Sequence, residues 1–153
     1  MKEFDYYIFI DYSENLIGYN IIHKERVKEL LLKTNKFGHY REARNKDLYI
    51  KNVRNTFKRE KLQRYFIKGK IRNLSDNIGI FMDVGEFIKE HNNCIIFLSV
   101  DDKQYSAFNK FVKIIGGNIK VFKESQLKRK TIEYSLSLIL DNWLNAERLK
   151  KQI

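Results

Sequence analysis

The sequence has a single cysteine, no glycine- or serine-rich linker and no long apolar run. Cys94 therefore has no partner for an intramolecular disulfide, and its place inside an apolar stretch predicts a buried core thiol. A membrane-spanning helix would need about 18 or more consecutive apolar residues, so we expect no membrane partner. The apolar part of the N-terminus is short, ends in an acid and lacks a small-residue cleavage site. These features predict an intracellular, cytoplasmic protein.

Internal repeats and low-complexity tracts are also missing, so nothing marks a domain boundary within residues 1–153. A chain of 153 residues is long enough to bury a core of its own. With 43% hydrophobic and 14% aromatic residues, it is expected to be globular rather than disordered. We therefore predict a single domain.

Acidic residues are scarce, since 19 Asp and Glu face 30 Lys and Arg and the formal charge is +11. The segment 41–72 holds 12 basic and 3 acidic residues and so carries +9 of that surplus. Concentrated cations attract polyanions, and the aromatic residues interleaved here could stack on unpaired bases. The alternative is a solvated lysine-rich surface with the aromatic side chains in the core. The nucleic-acid reading assigns phosphate contacts to Arg54, Lys58, Arg59, Arg64, Lys68, Lys70 and Arg72.

Hydrophobic periodicity alternates between strand-length apolar runs and helical patterns. A first strand is predicted over residues 6–11, followed by a helix through Ile22, Val27 and Leu31 that ends near residues 35–38. The basic segment reads mostly as helix to about Arg64, with a short strand over 65–71. The later predictions are a helix over 76–91, a strand over 94–99, a helix over 104–115, a strand over 118–123 and an amphipathic helix over 132–149. Such alternation is typical of an α/β fold, here a three-layer α/β/α arrangement with a mostly parallel central sheet.

Carboxylates follow two of the predicted strands, at Asp11 and at Asp101-Asp102. The carboxyl ends of neighbouring parallel strands meet at one edge of a sheet, where ligands of α/β folds bind. Asp83, inside a predicted helix, could join them. Clustered carboxylates repel one another unless a cation neutralises them, and Mg²⁺ or Mn²⁺ prefers such oxygen ligands. The alternatives are a turn acid at Asp11, and helix caps at Asp76 and at Asp101-Asp102.

The order of these motifs resembles the PIN-like nuclease superfamily, most closely its NYN branch. The resemblance is carried by "IFIDYSENLI" (8–17), "SDNIGIFMDVGEFI" (75–88) and "IIFLSVDDKQYSAFNKFVKIIGGNIKVF" (95–122), about two-thirds of the chain. It implies divalent-metal-dependent cleavage of RNA. The metal-binding positions implied by the resemblance are Asp11, Asp76, Asp83 and Asp101, with Asp102 in support.

The sequence departs from the family pattern at several positions. Asn15 follows Asp11 by four residues rather than three, and Asp76 and Asp83 are seven apart rather than six. Asp101 fits the Ser-x-Asp motif, whereas Asp102 has the better spacing to the following aromatic residue. We assign catalysis to Asp11, Asp83 and Asp101. Supporting roles fall to Ser13, Asn15 and Ser99.

The leading hypothesis is thus a Mg²⁺- or Mn²⁺-dependent ribonuclease, with DNA as an alternative partner. A second hypothesis is a nucleic-acid-binding module of the same fold that does not cleave. A third is a structural protein that forms a homodimer through Trp143 and the final helix. A phosphotransfer receiver is disfavoured, because receivers place their acid pair after the first strand.

Overall fold

In a computed structural model, which describes residues 4–99 and 102–150, five strands and five α-helices alternate along the chain. The strands are β1 (Tyr6–Ser13), β2 (Leu16–His23), β3 (Lys68–Asn73), β4 (Cys94–Leu98) and β5 (Ile119–Lys123). The helices are α1 (Lys24–Lys33), α2 (Lys46–Glu60), α3 (Asn77–Glu90), α4 (Asp102–Ile115) and α5 (Ile132–Leu149). Within the described part of the chain, no helix is long and apolar enough to cross a membrane.

The strands form one sheet in the order β3-β2-β1-β4-β5. β1, β4 and β5 are parallel, while β2 is antiparallel to both of its neighbours. Four of the five strands therefore point in the same direction. β1 is the central strand and lies parallel to its neighbour β4, so the chain that follows each of these two strands emerges at the same edge.

Alternation along the strands divides the core into two halves, one on each face of the sheet. Phe9 of β1 and Phe97 of β4 pack with the apolar sides of α1 and α5. Ile10 of β1 and Leu98 of β4 point the other way and pack against α3 and α4. Helices thus cover both faces, and the predicted three-layer α/β/α class with a mostly parallel sheet is confirmed.

The sequence-based prediction of a helix directly after the first strand is wrong, because a second strand, β2, lies between β1 and α1. Residues 16–22 are all buried, because β2 is an inner strand covered on both faces. Such a strand is apolar without alternation and is hard to tell from a buried helix. Ile22 therefore belongs to β2, and the helix begins only at Lys24.

The other boundaries differ from the predictions by a few residues. The strand predicted over 65–71 lies at Lys68–Asn73, and the helix predicted over 104–115 begins at Asp102. The final helix extends over Ile132–Leu149, as predicted. Its Trp143 is only 9% exposed and lies 5.4 Å from Phe66, ring centroid to ring centroid. The indole therefore belongs largely to the core, and a homodimer through this helix stays a prediction.

Candidate functional site

Three aromatic rings line up across the parallel strands beneath the candidate site. Phe9 stacks on Phe97 with centroids 5.4 Å apart, and Phe97 stacks on Phe122 at 5.8 Å. The strand register pairs the same residues, Phe9 with Phe97 and Phe97 with Phe122. Since side chains alternate along a strand, the residues two positions further on must lie on the same α5-side face. The next row on that face is therefore Asp11, Ser99 and Glu124.

Asp11 sits in this row with its carboxyl group largely removed from solvent, at 8% exposure. Its Oδ1 accepts a hydrogen bond of 2.8 Å from the backbone N–H of Tyr12. Ser99 is held beside it, because the Ser99 N–H donates to the carbonyl oxygen of Ile10 at 2.9 Å. The Ser99 side chain lowers the pKa of both Asp11 and Glu124 as a hydrogen-bonding neighbour, so the serine stands between the two acids.

Asp141, from the helix that packs on this face of the sheet, lines the same cleft as Asp11, Ser99 and Glu124. It lies on α5, and its Oδ2 accepts a 3.2 Å hydrogen bond from the backbone N–H of Tyr40. The His39 imidazole lies 3.7 Å from the same oxygen. The short turn around residues 39–42 thus contacts Oδ2 of this carboxyl group, and Asp141 also lines the cleft.

The pKa values of all three carboxyl groups are raised. Burial raises the pKa of Asp11 well above its ordinary value, and the negative charges of Glu124 and Asp141 raise it further. Burial is also the main cause of the raised pKa values of Glu124 and Asp141. The Tyr40 N–H, His39 and Arg41 offset part of the increase at Asp141. The three groups therefore share a site that disfavours their negative charge unless a cation is present.

The carboxyl groups open into a cleft of about 710 Å³ between the sheet edge, the turn at 39–41 and α5. Arg148 is fixed in its wall, with only 12% of its side chain exposed. Its Nε donates to Ser13 Oγ at 3.0 Å, and one terminal nitrogen donates to Asn145 Oδ1 at 2.9 Å. The other terminal nitrogen lies 3.5 Å from a carboxylate oxygen of Glu14. Further cations in the lining are Arg41, Lys46 and Arg129.

The tight β1–β2 hairpin places two of these residues. Ser13 pairs with Leu16, so only Glu14 and Asn15 form the turn. Glu14 has a φ of 53°, in the left-handed region that non-glycine residues adopt only rarely. Because the hairpin ends beside α5, Ser13 can donate a 2.8 Å hydrogen bond to Asn145 Oδ1.

The donor set suits a hard divalent cation, which prefers carboxylate oxygens. Within residues 4–99 and 102–150, however, no three acidic, histidine or cysteine side chains already form a metal-coordinating group. The sheet gives a reason, since Asp11 lies on β1, Glu124 directly follows β5, and these two strands are separated by β4, roughly 10 Å apart at the backbone. The negative charge and the carboxylate oxygens of Asp11, Glu124 and Asp141 thus suit a divalent cation. Their side chains would have to move closer to one another to bind the same ion.

Asp83 lies on the opposite face of the sheet from Asp11. Its Oδ2 accepts a 3.1 Å hydrogen bond from the hydroxyl group of Tyr19, which packs on the α3 side. Lys70 Nζ lies 3.7 Å from the same oxygen. The structure therefore does not bring Asp83 to the Asp11 carboxyl group, and it gives this mid-helix acid two partners of its own.

Asp76 also lies apart from the cleft. It occupies the N-cap position of α3, but its side chain makes no capping hydrogen bond. One carboxylate oxygen lies 3.6 Å from Arg72 Nε, and half of the side chain is exposed. Asp101 is outside the described residues. Asp102 is the first residue of α4.

Of the three predicted supporting residues, Ser13 and Ser99 line the cleft. Asn15 lies in the hairpin turn, where its carbonyl oxygen accepts a 2.7 Å hydrogen bond from the N–H of Leu74. The two serines therefore meet Asp11 in the same cleft, whereas the backbone of Asn15 ties the hairpin to the segment before α3.

The predicted nucleic-acid contacts divide between two surfaces. Lys68, Lys70 and Arg72 lie on the edge strand β3, and the last two pair with acids on the α3 side. Arg59 pairs with Glu60 at 3.3 Å. The remaining three, which line a groove between α2 and α5, are Arg54, Lys58 and Arg64.

Glu124 and Asp141 are not among the site residues predicted from the sequence, although the sequence around each carries a signal. Glu124 follows β5 directly, which is the strand-end pattern that marked Asp11. Asp141 interrupts the apolar stretch "LSLILDNWL" of the final helix, where a charge is costly unless it is paired.

No family model matches the chain, and no curated protein does. Its fold is similar to that of RNase HII in the structure of the PCNA:RNase HII complex from Archaeoglobus fulgidus. The TM-score is 0.53 at 10% sequence identity, over 98% of this chain and 75% of that one. The similarity concerns the fold. At this level of identity it shows the α/β fold alone and leaves the PIN-like and NYN resemblance as a prediction.

Proposed function

We propose that this protein is a divalent-metal-dependent nuclease that hydrolyses phosphodiester bonds of RNA in the cleft containing Asp11. The observation that carries the proposal is the row of Asp11, Ser99 and Glu124 at the carboxyl ends of three parallel strands, joined by Asp141 from α5. Ligands of open α/β sheets bind at this edge. Carboxyl groups whose pKa values are strongly raised occur more often at functional sites than elsewhere in proteins.

Asp11, Glu124 and Asp141 would hold Mg²⁺ or Mn²⁺, and Asp101 remains a proposed further ligand. A bound ion of this kind supplies an activated water and stabilises negative charge on the phosphate and on the leaving oxygen. Ser99, between two of the acids, would orient their carboxyl groups. The similarity to the fold of RNase HII favours RNA over DNA as the substrate to be tested first.

The cations of the cleft would bind the substrate backbone. Arg148 is held by Ser13, Asn145 and Glu14, so its guanidinium loses little additional freedom when it meets a phosphate. Arg41 and Lys46 also line the cleft. A phosphate bound by these cations would lie in the same cleft as the carboxyl row, where hydrolysis would take place.

The test is cleavage of end-labelled RNA and of DNA of the same sequence, with Mg²⁺, with Mn²⁺ or with a chelator. Asp11→Asn and Glu124→Gln should each reduce cleavage by at least about 100-fold if these groups hold the ion. Asp83→Asn is the matched control, because it removes a carboxylate on the other face. Cleavage that survives both cleft substitutions, or that persists in chelator, would refute the proposal.

A second candidate is a nucleic-acid-binding module of the same fold without hydrolytic activity. The observation in its favour is that no metal-coordinating group is already formed among the described side chains. It predicts salt-sensitive binding of RNA without turnover in any metal, and unchanged binding by Asp11→Asn. The cleavage assay and a filter-binding assay on the same samples separate the two candidates.

A further inference from the structure

A second groove, of about 540 Å³, lies between α2, the turn at Leu62–Tyr65 and the C-terminal part of α5. Its lining includes the cations Arg54, Lys58, Lys61, Arg64 and Lys150, against the single acid Glu147. Lys58, Lys61 and Arg64 are exposed. A concave surface with this excess of positive charge concentrates anions.

The wall of this groove also contains hydrogen-bond donors that the protein leaves unpaired. Among the described residues, neither Nε of Arg54 nor Nε1 of Trp143 has a hydrogen-bond partner, and both atoms are buried. The only hydrogen bond of the Arg54 guanidinium to the described part of the chain goes from a terminal nitrogen to the carbonyl oxygen of Ala146, at 3.0 Å. Unpaired buried donors are unfavourable, and a bound anion would stabilise them electrostatically. Because both atoms are buried, an anion in the groove would act on them only through its electric field, and the exposed cations are the main sign of an anion site.

Two helices connect this groove with the carboxylate cleft. On α2, Lys46 lines the cleft and Lys58 lines the groove, twelve residues or about 18 Å further along the axis. On α5, Arg148 lines the cleft, while Glu147 and Lys150 line the groove. A polyanion leaving the cleft past the end of α5 would thus meet the groove next.

We infer that this groove binds backbone phosphates of the nucleic-acid strand whose scissile bond lies in the cleft. The inference rests on the proposed function for the identity of the ligand, and it adds a minimum substrate length. The interval of about 18 Å between Lys46 and Lys58 is several times the rise of about 3.4 Å per nucleotide of a duplex strand, so contacts at both ends of α2 require several consecutive nucleotides.

The test measures binding of labelled single-stranded RNA in chelator, as a function of salt, so that no cleavage is required. The groove variant combines Lys58→Gln, Lys61→Gln and Arg64→Gln. The control combines Lys110→Gln, Lys113→Gln and Lys120→Gln, three exposed lysines of α4 and β5. Three lost phosphate contacts should reduce the slope of log K against log salt by about 2 for the groove variant only.

Two further comparisons vary the length of the RNA and replace RNA by inorganic phosphate. The difference between the wild-type protein and the groove variant should be present for RNA of about 12 nucleotides and absent for RNA of about 3. Equal slopes for the groove variant and the lysine control would overturn the inference. It would also be overturned if inorganic phosphate raised the melting temperature of the wild-type protein but not of the groove variant, while RNA binding did not differ. Loss of the slope difference with cleavage intact refutes only the groove, whereas a slope difference without any cleavage refutes only the nuclease.

Discussion

Asp11→Asn should make the folded protein more stable at neutral pH while it abolishes cleavage. The side chain is buried, and its pKa is raised first by burial and then by the charges of Glu124 and Asp141. Each unit by which folding raises a carboxyl pKa destabilises the ionised native state by about 1.4 kcal/mol. The asparagine removes that charge, yet its Oδ1 can still accept the hydrogen bond from the N–H of Tyr12.

The expected gain is on the order of 1 kcal/mol or more at pH 7, within the usual range for a single substitution at a buried group. In a domain of about 150 residues each kcal/mol raises the melting temperature by about 2–4 °C. The matched control, Asp83→Asn, should lower stability by no more than about 1 kcal/mol, because its amide oxygen can still accept the hydrogen bond from Tyr19 and only the ion pair with the half-exposed Lys70 is lost. Both effects are measured by urea unfolding in chelator.

The pH dependence of the gain follows from the direction of the pKa shift. Between the ordinary pKa of a carboxyl group and the raised one, the folded protein binds more protons than the unfolded chain, so its stability falls as pH rises. Below about pH 4 the Asp11 carboxyl is protonated in both states, and wild-type protein and Asp11→Asn should be equally stable. A variant that is less stable than wild type at pH 7, or a gain that does not shrink in acid, would refute the reasoning.

Three further outcomes are expected. Tyr19→Phe should lower the free energy of unfolding by about 0.5–1.5 kcal/mol and leave cleavage unchanged, since it removes only the hydrogen bond to Asp83 on the far face; a loss of cleavage without a loss of stability would contradict this. Glu124→Gln should stabilise the protein in the same direction as Asp11→Asn, since burial raises the pKa of Glu124; a lower melting temperature at pH 7 would count against it. Gly18→Ala should destabilise the protein by about 1–3 kcal/mol. An added Cβ would lie 3.1 Å from a methyl group of Leu144 and from the carbonyl oxygen of Lys70. Unchanged urea unfolding would contradict this and show that α5 can move away.

Much of the fold could be predicted from periodicity, because most elements follow simple patterns. The strand beginning at Cys94 and the helix Ile132–Leu149 are clear in the sequence. β2 was missed for a physical reason, since an inner strand buried on both faces shows no alternation. With β2 absent, the face of the sheet on which each helix packs could not be worked out.

Which acids share a site depends on the face of the sheet on which each helix packs. Asp11 follows Phe9 by two residues and so lies on the α5 side, whereas Asp83 lies on a helix that packs against the other face. Sequence spacing alone does not contain this difference. Glu124 could have been found, because it ends a strand as Asp11 nearly does, and Asp141 could have been found as a charge inside an apolar helix.

Direct measurement of Mn²⁺ binding, by titration calorimetry on the full chain without nucleic acid, tests the central claim most closely. The wild-type protein and Asp83→Asn should bind Mn²⁺ with similar affinity, while Asp11→Asn and Glu124→Gln should each weaken binding by at least about 10-fold, the effect of losing one of a few carboxylate ligands. Binding that survives in Asp11→Asn and Glu124→Gln but is lost in Asp83→Asn would contradict the account, because it would place the ion on the opposite face of the sheet.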